Sequence, residues 1–134
     1  MRFIKGILFF CLMIIANNCF SQNTVYSLGE DSKQQDNVPK GKVTKYVWKS
    51  TLLAGTIREY YLYVPEQYNP KETASLMVFQ DGHSYANLEG DFRVPTVLDN
   101  LIYKKEIPVT IGLFVNPGHK NTELPEGPYK ASNR

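Results

Sequence analysis

The chain has 134 residues, of which 43% are hydrophobic, 21% charged and 13% aromatic. This length fits one domain, and the composition excludes both a disordered chain and a membrane protein with several spans. The formal net charge is +2. Removing residues 1–21, which carry Arg2 and Lys5 and no acidic residue, leaves 13 basic and 13 acidic side chains. A neutral chain without a Lys/Arg stripe argues against a nucleic-acid partner.

The first 21 residues follow the order of a secretory signal peptide. Arg2 and Lys5 precede an apolar run at residues 7–16, and a polar stretch then ends at Ser21. The run is about half of the ~20 residues that a membrane-spanning helix needs, so no permanent membrane span is expected. Cleavage after Ser21 predicts a secreted or periplasmic chain that begins at Gln22.

Both cysteines, Cys11 and Cys19, lie within the predicted signal peptide. A lipoprotein signal is the less favoured alternative, because Asn18 stands where such a signal has a small residue. After ordinary cleavage the mature chain has no thiol, so it forms no disulfide and offers no cysteine-based metal site.

Residues 22–40 are polar and poor in apolar side chains, which predicts a flexible lead-in. A folded domain is predicted from residue 41 onward. Its elements, in chain order, are strands at 43–49 and 56–64, a strand at 76–79, a helix at 94–105 and a strand at 109–115. The first two strands form an antiparallel pair joined at Gly55, and the later strands, apolar throughout, are expected to be buried on both faces.

A buried strand, a helix and a second buried strand form a βαβ unit. The predicted fold class is therefore α/β, with a sheet that begins antiparallel and becomes parallel. The strand at 109–115 is then expected to be an uncovered edge, and one helix cannot shield both faces of the sheet. These features predict that residues 41–134 are the N-terminal portion of a larger α/β domain.

Four short sequence segments follow one another along the folded part of the chain. They are YYLYVP at 60–65, LMVFQDG at 76–82, VPTVLDNLI at 94–102 and PVTIGLFVNPG at 108–118. In this order they resemble the family of esterases that includes the enterochelin esterases and the esterase-D-like α/β-hydrolases, over residues 40–134. The resemblance implies the first strands and first helix of a hydrolase sheet, with the nucleophile elbow and the triad later in the chain. The implied reaction is hydrolysis of an acyl ester on a small molecule or a polysaccharide, without a cofactor.

An α/β-hydrolase needs a serine on a sharp strand-to-helix turn, a nearby histidine and an acid. The closest local imitation is the G-x-S-x-A around Ser84, which Asp99 and His119 follow along the chain. Gly90 and Pro95 keep the residues before the predicted helix non-helical. Ser84 is therefore interpreted as a loop hydroxyl, and no catalytic residue is assigned in this chain.

The loop around Ser84 also fits a different role, on the oxyanion side of a hydrolase. One oxyanion-hole donor of this fold is a backbone N–H between the third strand and the first helix, where Asp81, Gly82 and His83 lie. Gly82 is expected to permit a tight turn that presents an N–H, and Asp81 to fix the turn by accepting backbone hydrogen bonds. The alternative is that Asp-Gly simply ends a strand.

Two further groups of residues are considered as binding sites, and neither is expected to bind a ligand. Asp81, His83, Asp91 and His119 have no recognised metal-ligand spacing, so no metal site is expected. Aromatic residues on the first two strands suggest a sugar-stacking platform, but cross-strand packing is the favoured interpretation, and the lysines interleaved with them are expected to face water. These are Trp48, Tyr60, Tyr61 and Tyr63, and Lys40, Lys42, Lys45 and Lys49.

Two functions from different classes remain open at this point. The leading one is an exported serine esterase-like hydrolase, represented by an N-terminal portion that lacks the nucleophile elbow and the triad and is inactive alone. The alternative is a self-contained secreted binding module, β-rich and non-catalytic. A G-x-S-x-G followed by an acid and a histidine in the continuation of the reading frame would decide for the hydrolase. The sequence does not predict an oligomeric state.

Overall fold

The computed structural model describes residues 27–120 and 123–124. The predicted signal peptide at 1–21 and both cysteines lie outside the described residues. Within the described residues, neither helix has the length and apolar character that crossing a membrane requires.

The described residues form a small sheet with helices, in agreement with the predicted α/β class. Every predicted strand and the predicted helix are present. The helix ends at Tyr103, two residues early, because Lys105 turns to a left-handed φ of 60°. The elements are a 3₁₀ turn (Glu30–Ser32), β1 (Lys42–Lys49), β2 (Thr56–Val64), β3 (Ser75–Gln80), α1 (Gly82–Ala86), α2 (Val94–Tyr103), β4 (Thr110–Val115) and β5 (His119–Lys120).

Strands β1 and β2 form the predicted antiparallel hairpin. They pair along their whole length, with Lys42 opposite Val64 and Lys49 opposite Ile57. Gly55 in the connection has a φ of +75°, a conformation that glycine adopts without steric cost. The hairpin therefore follows from alternating β-formers on both sides of one well-placed glycine.

The order of strands across the sheet corrects one expectation. The order is β1-β2-β4-β3, and the short β5 pairs with the start of β2. Strand β4 runs parallel to β3 and antiparallel to β2. The strand predicted at 109–115 is thus central, because the crossover through α2 places β4 between β2 and β3, where it pairs with both. Among the described residues β3 is an edge strand, as β1 is on the other side.

One face of the sheet carries the core. Tyr63 on β2 and Phe114 on β4 are fully buried there, and Ala86 of α1 and Leu98 and Ile102 of α2 pack on them. Both helices therefore lie on the same face of the sheet.

The opposite face is apolar and open in the described part of the chain. The pairing registers place Leu76 and Val78 of β3, Leu62 of β2 and Leu113 of β4 on this face. Leu76 is 63% exposed and Val78 51%. The expectation that β3 is buried on both faces is wrong for the described residues, since five of its six residues are exposed. A continuous apolar pattern of this kind is typical of a strand whose second face is also packed against other elements.

Residues 27–40 lie within the predicted flexible lead-in, yet they dock on α2. The Asn100 side-chain amide donates to the carbonyls of Asp31 (2.8 Å) and Lys33 (2.9 Å), and Lys104 forms an ion pair with Asp31. Composition does not reveal this docking, because main-chain carbonyls make the hydrogen bonds to α2 and Val38 alone contributes a buried apolar side chain.

Candidate functional site

Strand β3 passes into α1 through a single left-handed residue. Asp81 has φ 54° and ψ 44°, and its carbonyl accepts the Ser84 N–H at 3.0 Å. Its side chain makes no capping hydrogen bond to α1. The main chain therefore fixes this corner, and the expected capping role of the Asp81 carboxylate is wrong. We refer to residues 81–83 as the 81–83 turn.

Gly82 brings the 81–83 turn into contact with the backbone of β4. A Cβ added at Gly82 would lie 2.3 Å from the carbonyl carbon of Phe114 and 2.5 Å from the nitrogen of Val115. Such distances are far below van der Waals contact, and the neighbouring atoms belong to a central strand that cannot yield. Glycine is required here for close approach, and the left-handed residue of the turn is Asp81.

Asn116, the first residue after β4, connects the 81–83 turn to the sheet. It is 1% exposed. Its Oδ1 accepts the main-chain N–H of His83 at 2.7 Å and lies 3.0 Å from Nδ1 of the His83 ring. Its Nδ2 donates to Oε1 of Glu59 at 3.3 Å, and its main-chain N–H donates to the Glu59 carbonyl at 3.1 Å. Asn116 thus ties His83 to the middle of β2.

Glu59 is a buried carboxylate on the core-bearing face, 2% exposed. It accepts a hydrogen bond from the Tyr61 hydroxyl as well as from Asn116, and it forms an ion pair with Lys45 on β1. A buried charge is tolerated only when it is paired and hydrogen-bonded, and these three donors supply both. Lys45, expected simply to face water, is a partner of a buried acid. We call these residues, together with His83, the Glu59–Asn116 network.

Ser84 occupies the third position of α1, so its interpretation as a loop hydroxyl is wrong about the backbone. A five-residue helix begins directly after β3. It has fewer than two turns, so its sequence shows no helical periodicity. The corner between strand and helix is nevertheless Asp81, and a nucleophile elbow would need serine at that corner. Ser84 therefore does not have the backbone setting of a nucleophile.

The structure does not bring Asp99 and His119 together. Asp99 Oδ1 accepts the Tyr63 hydroxyl at 2.6 Å, whereas His119 pairs with Ile57. Tyr63 and Ile57 are six residues apart on β2, about 20 Å along an extended strand. These residues and Ser84 do not form a triad.

Asp99 instead fastens α2 to the sheet. Besides the Tyr63 hydroxyl, it accepts the Gly41 N–H at 2.8 Å. Burial raises the pKa of the Asp99 carboxyl, and the hydrogen bonds from Tyr63 and Gly41 oppose that rise. Burial also raises the pKa of the Tyr63 phenol, reinforced by the adjacent Asp99. The pair is a structural tether between β2, α2 and the start of the domain.

The aromatic residues of the first two strands pack across the hairpin. Tyr46 stacks on Tyr60 with ring centroids 5.2 Å apart, and the Arg58 guanidinium lies 5.6 Å from the Trp48 ring centroid. These contacts support the packing interpretation over a sugar platform.

Metal ligands are not assembled in the described part of the chain. No three His, Cys, Asp or Glu side chains are grouped there to hold an ion. This includes Asp81, His83, Asp91 and His119.

A groove of about 530 Å³ opens beside the 81–83 turn. Its walls include Arg58 from β2, Gln80 and Asp81 from the end of β3, and Gly118 from the segment after β4. A space of this volume accommodates a small organic ligand. The turn, the groove and the Glu59–Asn116 network therefore adjoin at one end of the sheet.

No family profile and no curated protein sequence matches this chain. Solved structures do match. The feruloyl esterase module from Clostridium thermocellum, complexed with sinapinate, has a TM-score of 0.51 at 15% identity, over 68% of this chain and 31% of that one. The CE1 ferulic acid esterase from the anaerobic fungus Anaeromyces mucronatus has a TM-score of 0.54 without substrate, at 16% identity, and 0.54 with ferulic acid, at 18%. Both matches cover 66% of this chain and 33% of that one.

These matches show the fold of the described residues and the share of each esterase structure that they cover. The described sheet corresponds to part of the sheet of α/β-hydrolase esterases, as the sequence predicted. This chain spans about a third of the length of the esterase structures that it matches.

Proposed function

We propose that this chain is the N-terminal portion of an exported serine ester hydrolase of the α/β-hydrolase class. The observation that carries the proposal is the sheet order β1-β2-β4-β3, with the 81–83 turn at the carboxyl end of the open edge strand β3. Ligands of α/β sheets bind beyond the carboxyl ends of the parallel strands. A further parallel strand on β3 would deliver its nucleophile elbow beside this turn.

The apolar open face supports the same reading against the alternative of a self-contained binding module. In the described part of the chain Leu76 and Val78 are exposed on an edge strand, and a complete module with that surface would tend to aggregate. In a hydrolase domain, later helices and strands cover this face and this edge. The coverage of about a third of the matched esterases agrees with that arrangement.

In this proposal the chain contributes the oxyanion side of the site. The β3–α1 connection of an α/β-hydrolase supplies one N–H donor of the oxyanion hole. Here that connection is the 81–83 turn, and the groove lined by Arg58 and Gln80 forms part of the wall around the ester. The triad serine, histidine and acid come from outside the described residues. An enterochelin-type or polysaccharide-linked ester is the proposed substrate class, and signal cleavage after Ser21 the proposed route of export.

Ester hydrolysis tests this proposal. The complete natural polypeptide that carries this chain should hydrolyse a small activated ester with saturation kinetics, and residues 22–134 alone should show no rate above background. A complete polypeptide without esterase activity, bound to a ligand that it does not cleave, would favour the binding module instead.

A further inference from the structure

The groove beside the 81–83 turn is bounded by residues of the open face of the sheet. Alternation along β2 places Arg58 on the face opposite to the buried Glu59, and the registers of β4 and β3 place Gln80 on the same face as Arg58. Both residues line the groove. Arg58 lies two residues beyond Tyr60, the partner of the last residue of β4, so the groove extends past the carboxyl ends of the parallel strands.

Arg58 is a partly buried cation whose guanidinium has two close neighbours. Its Cζ lies 5.6 Å from the ring centroid of Trp48, the residue opposite it on β1. The main chain at Gly118 also approaches, since a Cβ added there would lie 2.9 Å from Nη2 of Arg58. An aromatic ring and a nearby main chain restrict the guanidinium before any ligand arrives, which lowers the entropy that binding costs.

The charge of Arg58 is not neutralised within the described part of the chain. Arg58 forms an ion pair with none of the carboxylates there, whereas the neighbouring Glu59 is paired with Lys45. Lys120 lines the same groove and stands opposite Thr56.

Asp81 is the acid among the described residues that line the groove, and it follows β3. Strand β4 separates β3 from β2. Since neighbouring strands lie about 4.8 Å apart, the main chains that carry Asp81 and Arg58 are roughly 10 Å from each other. The end of the groove at Arg58 is therefore positively charged.

We infer that Arg58 binds a free carboxylate of the substrate, so that the substrate class is an ester with a second, unesterified acid group. This inference rests on the proposed hydrolase function. The planar guanidinium offers a carboxylate two parallel hydrogen bonds, which a lysine cannot do. Half-esters of dicarboxylic acids carry the two groups that the groove and the proposed nucleophile would engage.

The position of Arg58 makes it a specificity-determining residue rather than a reacting one. In the proposed hydrolase the nucleophile follows a strand paired with β3, and Arg58 lies two strands from β3 on the other side. The carboxylate is then several bonds from the reacting carbonyl. A contact so far from the reaction is equally strong in the ground state and in the transition state, so it acts on KM more than on kcat.

The test compares two activated esters on the complete natural polypeptide. One is the p-nitrophenyl monoester of adipic acid, and the other is the p-nitrophenyl ester of adipamic acid, in which a carboxamide replaces the free carboxylate. The measured quantity is the ratio of kcat/KM for the two esters within each variant. A variant that folds poorly loses activity toward both esters alike, so this ratio reports on recognition of the carboxylate.

Three variants are compared with the unaltered polypeptide. Arg58→Gln removes the charge, and Arg58→Lys keeps the charge but not the planar pair of donors. Lys42→Gln is the matched control. Lys42 is an exposed cation on the same face of the sheet, but it stands opposite Val64, at the end of β2 remote from Arg58.

The unaltered polypeptide should prefer the carboxylate ester about 10- to 100-fold in kcat/KM, chiefly through a lower KM. Arg58→Gln should bring the two esters within about threefold of each other, and Arg58→Lys should show an intermediate preference. Lys42→Gln should retain the full preference. Equal kcat/KM values for the two esters in the unaltered polypeptide would overturn the inference, as would a preference that survives Arg58→Gln or disappears in Lys42→Gln.

A polypeptide that hydrolyses neither ester would contradict the proposed function, and calorimetry then judges the carboxylate site by itself. Adipamate, which has one carboxylate, should bind at least about tenfold more tightly than the neutral adipamide, and Arg58→Gln should abolish the difference. Equal affinities for adipamate and adipamide would show that Arg58 binds no carboxylate.

Discussion

The Tyr63 hydroxyl donates a 2.6 Å hydrogen bond to Asp99 inside the core, and this contact joins the end of β2 to α2. Both residues have raised pKa values, chiefly because burial disfavours their charged forms. The contact therefore links the stability of the fold to pH.

Lowering the pH from 7 to about 4 should raise the unfolding free energy of the unaltered protein relative to that of the Asp99→Asn variant. A carboxyl whose folded-state pKa is raised contributes stability that is present below its unfolded pKa of about 3.9 and is lost as pH rises through the folded pKa. The substituted amide accepts the same bonds and does not titrate. Urea unfolding of the complete natural polypeptide at the two pH values measures the difference.

Asp36→Asn is the control for that experiment, because Asp36 is exposed. Tyr63→Phe should cost about 1–3 kcal/mol of unfolding free energy at pH 7, since it leaves a buried carboxylate without one of its donors. If the unfolding free energies of the unaltered protein and Asp99→Asn differ by the same amount at pH 7 and pH 4, Asp99 does not link stability to pH.

Gly82→Ala should destabilise the complete natural polypeptide by about 3 kcal/mol. The new methyl group would meet the Phe114 and Val115 backbone at 2.3 and 2.5 Å, and a central strand has no room to move. Chemical denaturation measures the loss. Gly29→Ala is the matched control, since an added Cβ there meets nothing within 4 Å. Equal stabilities of the two variants would show that the turn does not lie against β4.

The open edge predicts how residues 22–134 behave alone. They should be poorly soluble, bind a hydrophobic dye and melt broadly, because Leu76 and Val78 are exposed on β3, which is an edge strand among the described residues. Leu76→Lys/Val78→Lys should reduce dye binding by this isolated chain but lower the melting temperature of the complete polypeptide, where the same residues are covered.

Leu52→Lys is the control for the edge experiment, because Leu52 is 91% exposed in the hairpin connection and should matter in neither context. A monomeric, cooperative melt of unaltered residues 22–134 would refute the argument from the edge and favour the self-contained module.

Local patterns sufficed to predict the four longer strands and the longer helix but not their order across the sheet. Gly55 between two runs of β-formers gives the hairpin, and the spacing of Leu98 and Ile102 gives α2. The placement of β4 between β2 and β3 depends on the path of a crossover, which leaves no periodic trace in the sequence. The short α1 was missed for the same reason, since five residues show no period.

The Glu59–Asn116 network was also missed, because its members come from four separate segments of the chain. One signal was available. Alternation along β2 puts Glu59 on the same face as Tyr61 and Tyr63, and a charged residue at a core-facing position requires buried partners. The identity of those partners follows only from the sheet order that brings Asn116 beside β2.

The predicted signal peptide makes a separate claim about processing. The exported protein should begin at Gln22, because the apolar run at 7–16 is short and the following polar stretch ends at Ser21. N-terminal sequencing of the protein recovered from the producing cell checks this. Retention of Met1, or a lipid on Cys19, would contradict it.

Labelling with a serine-directed phosphonate tests the central claim most directly. The complete natural polypeptide and residues 22–134 alone are each treated with the reagent, and the labelled serine is located by mass spectrometry. The account predicts stoichiometric labelling of the complete polypeptide at a serine beyond residue 134, and no labelling of the isolated chain. A label on Ser84, or a complete polypeptide that takes up no label, would contradict it.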